Sequence, residues 1–126
     1  MAKPRNRAVL AAVKVAVEAA EDRKAQEIVT LDLRELSDAT DYFVVASGTS
    51  DAHVRGIADL VVERLAEIGY RAHHVEGLPG GRWVLLDFVD FVVHLFHPET
   101  RRFYQLERLW SDAPRVMLRA EPERKV

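Results

Sequence analysis

The acidic pair Asp87 and Asp90 is the first candidate for chemistry, because two carboxylates held close together can bind magnesium. The two residues stand three positions apart across a predicted turn. Side chains on one face of a strand are separated by a single residue, so this spacing does not aim both carboxylates at one ion. The spacing favours solvated acids that can meet a basic partner over a catalytic metal site.

A second candidate is the turn of residues 48–50, Gly-Thr-Ser, which follows an apolar run and precedes a helical pattern. Backbone amides at a helix N-terminus can hold a phosphate group. The turn has neither the lysine of a P-loop nor the three-glycine spacing of a dinucleotide site, and Arg55 is its only nearby basic residue. A helix cap is the favoured interpretation. The alternative is a nucleotide-binding or nucleotidyltransferase-type enzyme that uses this turn with Asp87 and Asp90.

Histidine and cysteine do not supply a convincing metal or nucleophile site. The chain has no cysteine, which excludes disulfides, thiolate zinc sites and a cysteine nucleophile. His73 and His74 are adjacent on a predicted strand and therefore point to opposite faces. His94 and His97 would need a third ligand, such as His53, to complete a zinc site. We therefore predict no catalytic residue, no metal and no cofactor.

The charge pattern is not that of a nucleic-acid-binding protein. The 126 residues include 18 Lys and Arg and 20 Asp and Glu, for a net charge of −2. Basic and acidic residues are interleaved, whereas nucleic-acid binding rests on clustered basic residues. We predict no direct sequence-specific nucleic-acid binding. We also predict no membrane partner, because no apolar stretch is long enough to span a bilayer.

The periodicity of apolar residues predicts eight elements in the order α, β, β, α, β, β, β, α. The predicted helices cover residues 8–20, 51–68 and 100–110, and the predicted strands cover residues 28–33, 42–46, 70–75, 83–88 and 91–96. Three helices are too few to cover both faces of a parallel sheet. The fold class is therefore α/β, with a mixed five-stranded sheet and helices mainly on one face. Residues 1–110 form one domain, and residues 111–126 are a polar tail predicted to be disordered.

The last third of the chain is dense in aromatic residues interspersed with charges. These residues are Trp83, Phe88, Phe91, Phe96, Phe103, Tyr104 and Trp110. Alternation along a strand sends neighbours to opposite faces, so one layer of helices cannot bury both sets. Aromatic residues and arginines ringed by charge are typical anchors of protein interfaces. The pattern indicates docking on another macromolecule rather than catalysis.

At these same residues the sequence resembles the ribosomal silencing factor family, also called RsfS or Iojap. The resemblance spans roughly residues 9–116 in six ordered blocks. The blocks are IVTLDL at 28–33, TDYFVVASGTS at 40–50 with His53 and Val54, EG at 76–77, WVLLD at 83–87, Asp90 with VVHLF at 92–96, and RRFYQLERLW at 101–110. Six blocks in order are far more specific than any one motif.

The resemblance implies a cytoplasmic protein that binds the large ribosomal subunit through ribosomal protein uL14. Such a factor blocks subunit joining and represses translation under nutrient limitation. The resemblance also implies a homodimer when free and a nucleotidyltransferase-like core without a catalytic site. Carried over to matching positions, the partner-binding residues are Trp83, Asp87, Asp90, Arg102, Tyr104, Glu107, Leu109 and Trp110. Trp83 and Tyr104 are the predicted anchors, and the acids are predicted to face a basic partner.

Two positions depart from the family pattern. Val89 stands where the family usually has glycine, and a β-branched residue resists the positive φ of a tight hairpin turn. The residue predicts a wider or shifted turn. Ala52 replaces a basic residue often found before His53, which further weakens any anion site at that helix start.

Overall fold

The structure is a computed structural model that describes residues 7–105, 108 and 111–116. Its elements are α1 (Arg7–Asp22), β1 (Gln26–Asp32), β2 (Tyr42–Ser47), α2 (Asp51–Glu67), β3 (His74–Glu76), β4 (Trp83–Asp87), β5 (Phe91–Phe96) and α3 (Pro98–Tyr104). The order of helices and strands agrees with the prediction. β3 is shorter than predicted and begins at His74 rather than at residue 70.

The five strands form one mixed sheet in the order β1-β2-β5-β4-β3. The central pair β2 and β5 is parallel, with Val45 opposite His94. The remaining pairs are antiparallel. A parallel pair requires a long crossover, and the chain between β2 and β5 contains α2, β3 and β4. The predicted mixed five-stranded sheet is confirmed.

Helices α1 and α2 pack together on one face of this sheet. The apolar side chains of α1 recur at helical spacing, and two of them, Val13 and Val17, are buried in the core. Ile57 and Leu65 of α2 are equally inaccessible and join the same core. Ser50 caps α2, since its hydroxyl accepts a hydrogen bond of 3.0 Å from the amide of His53. The prediction that helices lie mainly on one face is confirmed.

The C-terminal segment differs from its prediction. Helix α3 begins at Pro98, which needs no amide partner in the first turn, and ends at Tyr104. The polar tail was predicted to be disordered from residue 111, but residues 114–116 lie against β1. The Pro114 carbonyl accepts a hydrogen bond from Asp32, and the Val116 amide donates one to Thr30. β1 is an edge strand whose free backbone groups favour such pairing. Residues 117–126 lie outside the described part.

The β4–β5 turn is one residue wider than the predicted two-residue turn, yet it still forces a positive φ. Val89 lies at the centre with φ +74°, and the Asp90 amide donates a 2.9 Å hydrogen bond to the Phe88 carbonyl. This three-residue turn is a γ-turn with a positive φ at its central residue, which is a rare and strained type of turn. The Asp87 carboxylate stabilises it by accepting a hydrogen bond of 2.8 Å from the Val89 amide.

Replacing Val89 with glycine is expected to raise the free energy of unfolding by about 1 kcal/mol. A β-branched residue strains the backbone at positive φ, and the free energy of this strain exceeds the entropic cost of ordering the more flexible glycine. The side chain is 54% exposed, so little packing is lost. Urea denaturation of the two proteins gives the difference. Val89→Ala is the control, with a smaller gain expected. A glycine variant no more stable than the parent would show that the turn carries no such strain.

Candidate protein-docking face

The sheet face opposite α1 and α2 has little helical cover. Six of the side chains that alternation places there define what we call the open face: Phe43, Val45, Trp83, Leu85, His94 and Phe96. Val45, His94 and Phe96 are buried, whereas Phe43 and Leu85 are half-buried. The open face therefore has an inaccessible base and an accessible apolar rim.

Trp83 is fixed in place from three directions. Its indole N–H donates a hydrogen bond of 3.1 Å to Nδ1 of His94. Its ring centroid lies 4.9 Å from that of Phe96 and 4.8 Å from that of Tyr104. The side chain remains half-buried, so part of the ring is accessible. A large ring already ordered before binding loses little conformational entropy on contact with a partner.

His94 is a neutral acceptor beneath this tryptophan. Burial lowers the pKa of His94 from 6.5 to about 4. An indole nitrogen can only donate, so Nδ1 of His94 must accept and the imidazole proton lies on Nε2. Within the described residues, this buried Nε2 has no hydrogen-bond partner.

A small groove adjoins Trp83 on the same side of the sheet. It has a volume of about 260 Å³ and is lined by Glu76, Gly77, Trp83 and Leu85. Gly77 adopts φ +80°, and a Cβ at this position would lie 2.0 Å from the Trp83 carbonyl oxygen. Only glycine permits this close approach of the two backbones. The groove offers a partner an apolar wall and one carboxylate.

The structure brings together the two predicted anchors, Trp83 and Tyr104. Tyr104 is 49% exposed and contacts Phe103, whose ring lies 5.0 Å away in a T-shaped arrangement. Phe103 is 81% exposed and was not among the predicted interface residues. Three accessible aromatic rings therefore form a continuous patch at the end of α3 and the start of β4.

The predicted acids lie at the other end of β4. Asp87 is half-buried and bonds to the hairpin turn, while Asp90 is exposed. Asp87 lies four residue steps along the strand from Trp83, which is about 13 Å. In the part of the chain that the structure describes, no group of three histidine or acidic residues could hold a metal ion.

Of the remaining predicted site residues, the structure describes only Arg102. Arg102 is exposed on α3 and lines a separate cavity beside that helix. Glu107, Leu109 and Trp110 lie outside the described residues. Three of the aromatic residues noted in the sequence, Phe88, Phe91 and Phe96, are buried. The sequence assignment also missed Phe43, Leu85 and His94; period-two alternation places Leu85 on the same face of β4 as Trp83, but only strand pairing brings Phe43 and His94 to that face.

The turn proposed for a nucleotide is occupied by its own side chains. The Thr49 amide donates a 2.8 Å hydrogen bond to Nδ1 of His53, and the His53 amide is bonded to Ser50. Nε2 of His53 in turn donates to the Arg23 carbonyl at 2.6 Å. Arg55 donates to the carbonyl of Pro79. These contacts argue against a phosphate site at this turn.

Comparison with known proteins gives a consistent result. Residues 6–126 match the family described as "Ribosomal silencing factor during starvation". The chain is 41% identical to ribosomal silencing factor RsfS of Bacillus subtilis over 102 residues, which is 81% of this chain and 86% of that protein. It is 39% identical to the Mus musculus protein "Mitochondrial assembly of ribosomal large subunit protein 1" over 75 residues, which is 57% of this chain and 33% of that protein.

A solved structure agrees with these matches. A Chromobacterium violaceum protein superposes with a TM-score of 0.78 at 38% identity, covering 79% of this chain and 83% of that one. In addition, none of the helices among the described residues is long and apolar enough to cross a membrane.

Proposed function

Because the chain belongs to the ribosomal silencing factor family, we propose that it is a non-enzymatic regulator of translation that binds the large ribosomal subunit. We propose that it contacts ribosomal protein uL14, blocks joining of the small subunit, and acts in the cytoplasm when nutrients are limiting. The observation that carries the proposal is the open face, where an ordered Trp83 adjoins the exposed ring of Tyr104, which in turn contacts the exposed ring of Phe103.

The physical basis is that of an anchored interface. Most of the free energy of such interfaces comes from a few aromatic and arginine side chains that leave water on binding. Trp83 is pre-ordered by His94 and Phe96, and the neighbouring groove can accept a partner side chain. Asp87 and Asp90 place carboxylates at the far end of β4, where they would favour a basic partner surface, while Glu76 beside the groove is paired with His74.

The inhibitory step that we propose is steric. A folded domain of 14.3 kDa bound where the two subunits meet would occupy space that the small subunit needs. This mechanism requires that the protein bind the large subunit tightly and occupy volume there, and it requires no covalent chemistry. The nucleotidyltransferase alternative has no comparable support, because the amides of Thr49 and His53 are already bonded within the chain.

We propose further that the free protein is a homodimer that covers the open face. Exposed aromatic surface is unfavourable in water, and a two-fold dimer buries the same patch of both copies. The dimer and the ribosomal complex would then use overlapping surfaces. Large subunits at sufficient concentration would therefore dissociate the dimer.

Sedimentation tests these proposals. The protein is expected to co-migrate with purified large subunits but not with small subunits, and to lower the yield of joined ribosomes when added before mixing. Sedimentation of the protein alone is expected to give about twice the chain mass, and isolated uL14 should bind it. Absence of co-migration would refute ribosome binding. A monomer that still binds would refute the dimer alone, and binding to subunits but not to uL14 would refute the assigned contact.

A further inference from the structure

A second concave site lies on the opposite side of α3 from Trp83, outside the carboxyl ends of the parallel strands β2 and β5. This basic cavity has a volume of about 500 Å³, and its lining includes Ser47, Arg101, Arg102, Arg108 and Arg115. Glu27 is the one carboxylate among its described lining residues. A chain with a net charge of −2 therefore gathers four guanidinium groups around one cavity.

Arg101 forms a fixed base for the cavity. The residue is only 6% exposed, and Nη1 donates a hydrogen bond of 2.9 Å to the Ser47 hydroxyl. Its Nε lies 3.9 Å from a carboxylate oxygen of Glu27. A guanidinium held in this way is ordered before any ligand arrives, so a ligand need not order it.

The other arginines are brought to the cavity by specific backbone features. Gln105 ends α3 in a left-handed conformation, and its side-chain oxygen accepts a 2.9 Å hydrogen bond from Arg108. Arg115 is placed by its bridge to Leu31 of β1. Arg102, Arg108 and Arg115 are all exposed, and none of them pairs with a carboxylate among the described residues.

The shape and chemistry of the cavity indicate its ligand. A volume of this size suits a small molecule, and crevices outside the carboxyl ends of parallel strands are common ligand sites in open α/β sheets. Arginine binds phosphate oxygens in a bidentate manner. No aromatic ring occurs among the described lining residues, and the guanidinium groups can bind phosphate oxygens whatever base the ligand carries.

We propose that the basic cavity binds the phosphate chain of a small polyphosphorylated metabolite, of the nucleoside di- or triphosphate class, without selecting the base. The cavity is distinct from the open face, and the proposal does not depend on ribosome binding.

Calorimetry with the full-length chain tests this proposal. Inorganic triphosphate, ATP and GTP are expected to bind with dissociation constants within about threefold of one another, and adenosine is expected not to bind, because the arginines contact phosphate oxygens alone. Replacing Arg102 and Arg115 together with glutamine is expected to weaken triphosphate binding at least roughly tenfold, since each charge-assisted hydrogen bond lost is worth that order.

The matched control is Arg71→Gln, which removes one exposed positive charge from the loop before β3 and should leave triphosphate binding unchanged. Thermal melts confirm that each variant is folded. No triphosphate binding by the parent chain would overturn the proposal. Equal losses of triphosphate affinity in the control and in the double variant would also overturn the proposal. Tight binding of a short single-stranded RNA without binding of triphosphate would assign the arginines to an RNA backbone instead.

Discussion

Replacing Trp83 with alanine is expected to weaken binding to the large ribosomal subunit by at least about 30-fold, which corresponds to about 2 kcal/mol. The variant removes the ring that His94 and Phe96 hold in place, and it leaves the Tyr104 ring without its 4.8 Å neighbour. Quantitative co-sedimentation across a range of large-subunit concentrations measures the change. Tyr104→Ala is expected to have a smaller effect, of about 1 kcal/mol, because it removes a smaller ring and leaves Trp83 held by His94 and Phe96.

A loss of fold could mimic this result, since Trp83 also packs on Phe96. Trp83→Phe keeps a ring against Phe96 but loses the hydrogen bond to His94, so its affinity should lie between those of the parent chain and Trp83→Ala. Ile68→Ala is the matched control, because it removes an exposed apolar side chain, 47% accessible, from the end of α2 on the helical side. Affinity unchanged in Trp83→Ala, or lost equally in Ile68→Ala, would exclude Trp83 as the anchor.

Acidification is expected to destabilise the protein through His94 by about 3 kcal/mol between pH 6.5 and pH 4. Burial lowers the pKa of His94 to about 4 in the folded state, so the unfolded chain binds the proton first as the pH falls. The contribution is fully present above pH 6.5, falls progressively below it, and is lost near pH 4. Urea denaturation at a series of pH values measures this slope.

Protonation of His94 also acts on the docking face. The incoming proton must occupy Nδ1, which is the atom that accepts the Trp83 indole N–H. Two donors would then face each other at 3.1 Å, and the hydrogen bond that orders Trp83 would be lost. Affinity for the large subunit should therefore fall only near pH 4, where His94 of the folded protein takes up the proton, and not from pH 6.5, where the decline in stability begins.

The matched pair for this experiment is His94→Gln and His73→Gln. Both variants lose one histidine, but His94 is buried and His73 is exposed. His94→Gln is expected to lower stability at pH 7 and to flatten the decline between pH 6.5 and 4 relative to His73→Gln. Equal pH dependence in the two variants would show that the decline arises from other groups.

The sequence by itself determined the order of elements and the class of the fold. Apolar spacing of 3.6 in residues 9–20 and runs of β-branched residues such as Val44 and Val45 are local signals, and they fix helix and strand without reference to the rest of the chain. The number of helices likewise determined that one sheet face would lack cover. The six sequence blocks identified the family because a sequence motif is recognised from the order of its residues alone, without the fold.

The tertiary structure decided which residues meet. Trp83 and His94 lie on different strands, and only the antiparallel register of β4 and β5 brings the indole to the imidazole. Arg101 and Arg115 converge because α3 and the segment after Ala113 return to the same end of the sheet. Burial of Phe91 and exposure of Phe103 also depend on neighbours distant in sequence. The register of strand pairing and the places where the chain reverses depend on the whole fold. The periodicity of apolar residues along the sequence does not predict them.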